Sequence, residues 1–183
     1  MHIQTDMKKL ISLLLAVLAI TGCKQNAPVV KSDVLPVPRS ISLESEKFTF
    51  SQGTAITIDA PGKDKQNLER LLAESLPKSN GNSRNSITLQ VVDNVEGVTS
   101  PEGYSIVIGK NSITINATSA AGLFYGVQTI IQLADDNGEI PTGKICDEPQ
   151  FAYRGLMLDV SRHFFGKEFV KKQIDALAHF KMN

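Results

Sequence analysis

The run Tyr153-Arg154-Gly155-Leu156-Met157-Leu158-Asp159-Val160-Ser161-Arg162-His163-Phe164-Phe165 decides how this chain is read. Leu156, Leu158 and Val160 alternate with Met157 and Asp159, and the stretch is apolar almost throughout. A strand apolar on both faces is one buried on both faces, as in parallel sheets wrapped by helices. Polar chemistry arrives abruptly at Asp159, Ser161, Arg162 and His163, where that strand should end. Helical spacing follows, with Val170, Ile174, Leu177 and Ala178 at i, i+4, i+7 and i+8. Strand, polar cluster and amphipathic helix make a first βα unit. In a (β/α)8 barrel the polar cluster would lie on the functional rim.

Composition narrows the partners. The chain has 183 residues, 42% of them hydrophobic, with 19 basic against 19 acidic side chains. A balanced charge argues against a nucleic-acid partner, which would require a basic surface. Cys23 and Cys146 are too far apart for a CxxC zinc pattern, so no metal is expected, and nothing calls for a cofactor.

The N-terminus reads as an export signal. Lys8 and Lys9 precede an apolar run from Leu10 to Ile20, of signal-peptide length and short for a membrane span. It closes in Leu18-Ala19-Ile20-Thr21-Gly22-Cys23, which resembles the lipobox of bacterial lipoproteins. That resemblance implies a signal over residues 1–22, lipidation at Cys23, a tether over 23–35 and a membrane-anchored exported protein. Several acyl chains anchor stably where one does not. Cys146 is then a free thiol and reads as a small buried hydrophobe.

Residues 36–148 read as an α+β domain. Pro36–Ser42 can be at most an edge strand. Alternation marks strands at Phe48-Thr49-Phe50, Ala55–Ile58, Ile87–Val92, Tyr104–Ile108 and Ser112–Asn116, the last two a hairpin through Gly109-Lys110-Asn111. Leu68, Leu71, Leu72 and Leu76 stripe one helix, roughly 63–76. Ser119 caps a second, running to about Leu133. Gly122 and Gly126 lie one turn apart in it, at a cost of about 1 kcal/mol each relative to Ala. Close approach of helix to sheet is the expected compensation. The expected architecture is an antiparallel sheet with both helices on one face. The start of a (β/α)8 barrel follows at 149–183.

Two blocks then match one family together. Pro101-Glu102-Gly103-Tyr104-Ser105-Ile106, Ser112–Ala117 and Ala120–Thr129 resemble the N-terminal domain of bacterial β-N-acetylhexosaminidases, glycoside hydrolase family 20. Tyr153–Phe165, with the closing Phe180-Lys181-Met182-Asn183, resembles the opening βα unit of that family's catalytic barrel. The resemblance implies a retaining hydrolysis in which the substrate's own 2-acetamido oxygen attacks the anomeric carbon, an exception to the two-carboxylate scheme. The acid glutamate, its aspartate helper and the pocket tryptophans belong further along the family's sequence, and no Trp occurs in this chain.

By that resemblance Arg162 contacts the hydroxyls of a terminal N-acetylhexosamine in a glycan, a role suited to a planar fork of donors. The bland reading is a rim arginine paired with Asp159. Asp159 and His163 are candidates for supporting roles beside it, although packing or capping suits His163 better. Arg154, at the other end of the strand, reads as a stability residue, and His179 as solvated. With about one strand and one helix of the barrel present, the chain is expected to be a fragment without hydrolase activity, its tail poorly ordered or sticky from about Phe151. A non-catalytic glycan-binding lipoprotein and a purely structural module remain open as alternatives.

Overall fold

The computed structural model describes residues 31–77 and 84–183, so the signal, Cys23 and most of the polar loop after Pro77 lie outside the described residues. Elements run β1 (Ser40–Thr49), β2 (Ala55–Asp59), α1 (Gly62–Ser75), β3 (Ser86–Val91), β4 (Tyr104–Ile108), β5 (Ser112–Ala117), α2 (Ala120–Leu133), β6 (Glu139–Asp147) and α3 (Lys167–His179). The six strands form one sheet in the order β1-β6-β4-β5-β3-β2.

The sheet is mixed, and this corrects the antiparallel expectation. β3 pairs parallel to β2 and to β5, while the hairpin β4–β5 and the β4–β6 and β1–β6 pairs are antiparallel. A helix-length connection carries the chain back to the end from which it started, and α1 does this between β2 and β3. The expected edge strand at 36–42 and the strand at Phe48–Phe50 merge into β1, which does form one edge.

Register explains the core. Ile41, Ile145, Ile106, Ile115, Leu89 and Ile58 face one another across all six strands. Side chains alternate between faces along a strand, so this row lies on the helix-covered side with Leu68, Leu72, Leu123, Val127 and Ile130. Each such fully buried side chain contributes about 1.5–3 kcal/mol.

Helix α2 lies tight on this sheet. Ser119 caps it, accepting from the backbone N–H groups of Ala121 (3.2 Å) and Gly122 (3.4 Å) and donating to the carbonyl of Pro101 (2.6 Å). A Cβ at Gly126 would stand 2.6 Å from Cγ2 of Ile115, and one at Gly122 would meet the Gly103 carbonyl and Cβ of Ala117. The two glycines are therefore contact points between helix and sheet.

Candidate functional site

The segment carrying the predicted sugar contact departs from expectation. Residues 154–160 form no strand, and Leu156, Met157 and Val160 are exposed. A strand needs at least one neighbouring strand to pair its backbone groups. Here the only ladder-like pairing among the described residues is at the base, where Asn183 N–H donates to the Arg154 carbonyl at 2.9 Å. Helix α3 forms over Lys167–His179 but buries none of its residues, so the apolar stripe of Val170, Ile174, Leu177 and Ala178 stays uncovered or half-covered.

Asp159 and Arg162 are brought together in the loop that follows, and His163 comes next in the same loop. Asp159 Oδ1 accepts from the backbone N–H groups of Ser161 (2.9 Å) and Arg162 (3.1 Å), the turn that a short acidic side chain favours. Its other oxygen pairs with Nε of Arg162. Those backbone N–H groups, then the guanidinium, hold the Asp159 carboxyl below its ordinary range. The Arg162 side chain is 82% exposed, and His163 is exposed as well. The guanidinium is thus oriented by Asp159 while most of its donors face solvent.

The tail is nonetheless tied down, and the tie is a cluster that sequence reading largely missed. Arg154 Nη2 lies 2.6 Å from Glu102 Oε2, Nε donates to the Lys181 carbonyl at 2.9 Å, and Nη1 to the Phe151 carbonyl at 2.7 Å. Asn183 donates to the other Glu102 oxygen at 2.8 Å and accepts from the Arg154 N–H at 3.0 Å. Burial pushes the Glu102 carboxyl up, but the bonds from Asn183 and Arg154 outweigh it and leave the group below its ordinary value. Arg154 thus has the stabilising place expected of it.

Beside this circuit stands Lys181. Helix α3 ends in a Schellman turn, with Lys181 N–H bonded to the Ala178 carbonyl and Met182 N–H to that of Leu177. The position after the cap is left-handed, and Lys181 occupies it at φ 57 where glycine is the usual residue. A side chain there costs about 1 kcal/mol. The Lys181 ammonium turns into the α+β domain, donating to the Tyr104 hydroxyl at 2.8 Å and lying 3.3 Å from Asp147 Oδ2. The Tyr104 hydroxyl donates to the same Asp147 oxygen at 2.8 Å and shares a bond with the Thr129 hydroxyl at 2.6 Å. Burial lowers the Lys181 ammonium below its ordinary value despite the nearby carboxylate. It also raises the Tyr104 hydroxyl far above its own. Lys181, Tyr104 and Asp147 wall a cleft of about 770 Å³, which Arg39, Glu102 and Phe151 also line.

The signal for this cluster was a lysine directly after a helix, where glycine is the usual choice. Glu102 sits in a short turn and Asp147 at the end of β6, and neither stood out from its neighbours as a titratable pattern. Cys146 is half-buried, its thiol 3.6 Å from the Glu96 carbonyl, and burial raises its pKa.

Comparison with known proteins places both parts of the chain. Residues 31–148 match the model of glycosyl hydrolase family 20, domain 2, and residues 151–183 match that of the glycosyl hydrolase family 20 catalytic domain. A beta-hexosaminidase of Porphyromonas gingivalis is 30% identical over 91% of this chain and 24% of its own length. The N-acetyl-beta-hexosaminidase of Streptomyces plicatus, solved with Thio-NAglucal, superposes with a TM-score of 0.69 at 32% identity, over 86% of this chain and 35% of that one. An exo beta-N-acetylglucosaminidase of Vibrio harveyi, solved with N-acetylglucosamine, gives a TM-score of 0.68 at 30% identity, over 82% of this chain and 24% of that one. The chain thus spans between a quarter and roughly a third of the length of these relatives. With a mixed six-stranded sheet matching domain 2 and a tail matching the start of the catalytic domain, this chain belongs to glycosyl hydrolase family 20.

Proposed function

We propose that these residues serve as the amino-terminal part of a β-N-acetylhexosaminidase. It would remove terminal β-linked N-acetylglucosamine or N-acetylgalactosamine from glycans by substrate-assisted, retaining hydrolysis. The observation that carries this reading is the order of the two family segments in one chain, the second bearing Arg162 just past its apolar run. Arg162 binds the sugar hydroxyls, Asp159 orients its guanidinium, and His163 lines the same loop. The proton donor and its aspartate partner come from sequence beyond these residues, so the 183-residue chain is inactive by itself. Two measurements test the proposal. A chromogenic N-acetyl-β-glucosaminide incubated with the purified chain should release nothing, and release would refute the inactivity. Reading the gene past the Asn183 codon in all frames should reveal an adjacent Asp-Glu pair and pocket tryptophans, and their absence would sink the assignment.

We further propose that the protein is exported and held on a bacterial membrane through acylated Cys23. The charged and apolar run before that cysteine supports this. Labelled fatty acid should be incorporated by the native chain and lost in Cys23→Ser, with the variant moving to the soluble fraction. Equal partitioning of the two would remove the anchor from the account.

A further inference from the structure

We propose that Lys181 is a docking lock, whose buried ammonium fastens residues 151–183 to the α+β domain. Two local costs meet at this residue. Its backbone occupies the left-handed position that closes the Schellman turn at φ 57, where glycine would be unstrained. Its side chain is 7% exposed, so an ammonium has been withdrawn from water. The turn's backbone bonds are made within α3, but among the described residues the ammonium's partners lie outside that helix, which buries no residue of its own.

Those partners of the ammonium belong to the other family segment. The ammonium reaches the Tyr104 hydroxyl on β4 and the Asp147 carboxylate at the end of β6, and these bond to each other. The Tyr125 hydroxyl on α2 donates to the carbonyl of Met182 at 3.2 Å, and Gln132 donates to that of His179 at 2.7 Å. Every one of these contacts spans the boundary between the segments matched separately by the family models. A residue that breaks a local rule and has its charge satisfied across such a boundary is placed there for the boundary. The lock stands apart from the hydrolase reading, since it concerns how the tail is held and not what it binds.

Hydrogen exchange on the full 183-residue chain tests this, comparing the native protein with Lys181→Gly, Lys181→Met and Tyr104→Phe. Both Lys181 variants should speed exchange at the Arg154, Met182 and Asn183 amides about tenfold or more, leaving β4 and β5 unchanged. Tyr104→Phe keeps the ring in the core and removes one partner of the ammonium, so the same amides should loosen. If Lys181 merely closed the helix, glycine would preserve or increase protection there, and that result overturns the proposal. Protection in Lys181→Met equal to the native chain would also overturn it, by showing that the charge is irrelevant. Uniform loss across β3, β4 and β5 would overturn it too, by making Lys181 part of the domain's own core.

Discussion

Arg154 and Glu102 form an ion pair with 2.6 Å between Nη2 and Oε2, and each belongs to a different family segment of the chain. Their side chains are mostly buried, and Asn183 completes the circuit by bonding to both. The base of the tail is therefore tied to the α+β domain through Glu102. Among the described residues, the hydrogen bonds of its outer part, from Leu156 to Phe164, are local ones between Asp159 and Ser161 or Arg162.

The pair makes a pH-dependent contribution whose sign follows from Glu102. Its carboxyl lies below the ordinary value of 4.5 in the folded chain, so its stabilisation is complete above that value and is lost as pH falls through the folded one. Carboxyls of Glu148 and Asp135, held down by backbone N–H groups, lose stability on the same side. Urea denaturation of the native chain and Glu102→Gln, repeated between roughly pH 6 and 3, should give a difference that shrinks toward the acid end. A difference independent of pH would remove Glu102 from the acid response.

Replacing Arg154 by Met should cost about 2–4 kcal/mol, because Glu102 would be left partly buried without its cation. Equilibrium unfolding reads this directly. A change under about 0.5 kcal/mol would show that the circuit contributes nothing net.

Gly122→Ala and Gly126→Ala should each destabilise the domain by about 1–3 kcal/mol, although alanine is the better helix former. The new methyl would press on Gly103 and Ala117 in one case and on Ile115 in the other. Thermal unfolding would show a lower midpoint in both variants. A raised midpoint would mean that helix propensity, not contact, governs these positions.

Arg162→Ala should leave stability of this chain within about 0.5 kcal/mol, since exposed ion pairs contribute little. Leu156→Ser should be equally mild, because Leu156 is exposed. A loss above about 1 kcal/mol in either would show that the loop is packed in solution.

Much of the α+β domain could be read from residue order because its signals are local. Ser119 announced the start of α2, the glycine-lysine-asparagine turn announced the hairpin, and the alternation in Ile87-Leu89 and Ile113-Ile115 marked inward faces. β6 escaped notice because Pro141 and Gly143 interrupt it and look like loop residues. The proline is harmless there, since β4 pairs with β6 only from Tyr104–Asp147 to Ile108–Gly143 and stops short of it. Parallel pairing of β2, β3 and β5 likewise has no signature within any single strand.

Arg162, Asp159 and His163 stood out because polar residues ending an apolar run are visible in one dimension. Their order also made Asp159 a natural partner for Arg162, three positions on. Where the tail attaches was a different matter. Lys181 meets Tyr104 across 77 positions, and Arg154 meets Glu102 across 52. Local periodicity carries hydrophobic burial and turn chemistry, which depend on near neighbours. A charge withdrawn from water takes its meaning from whichever distant group the fold delivers to it, and only the folded chain decides that.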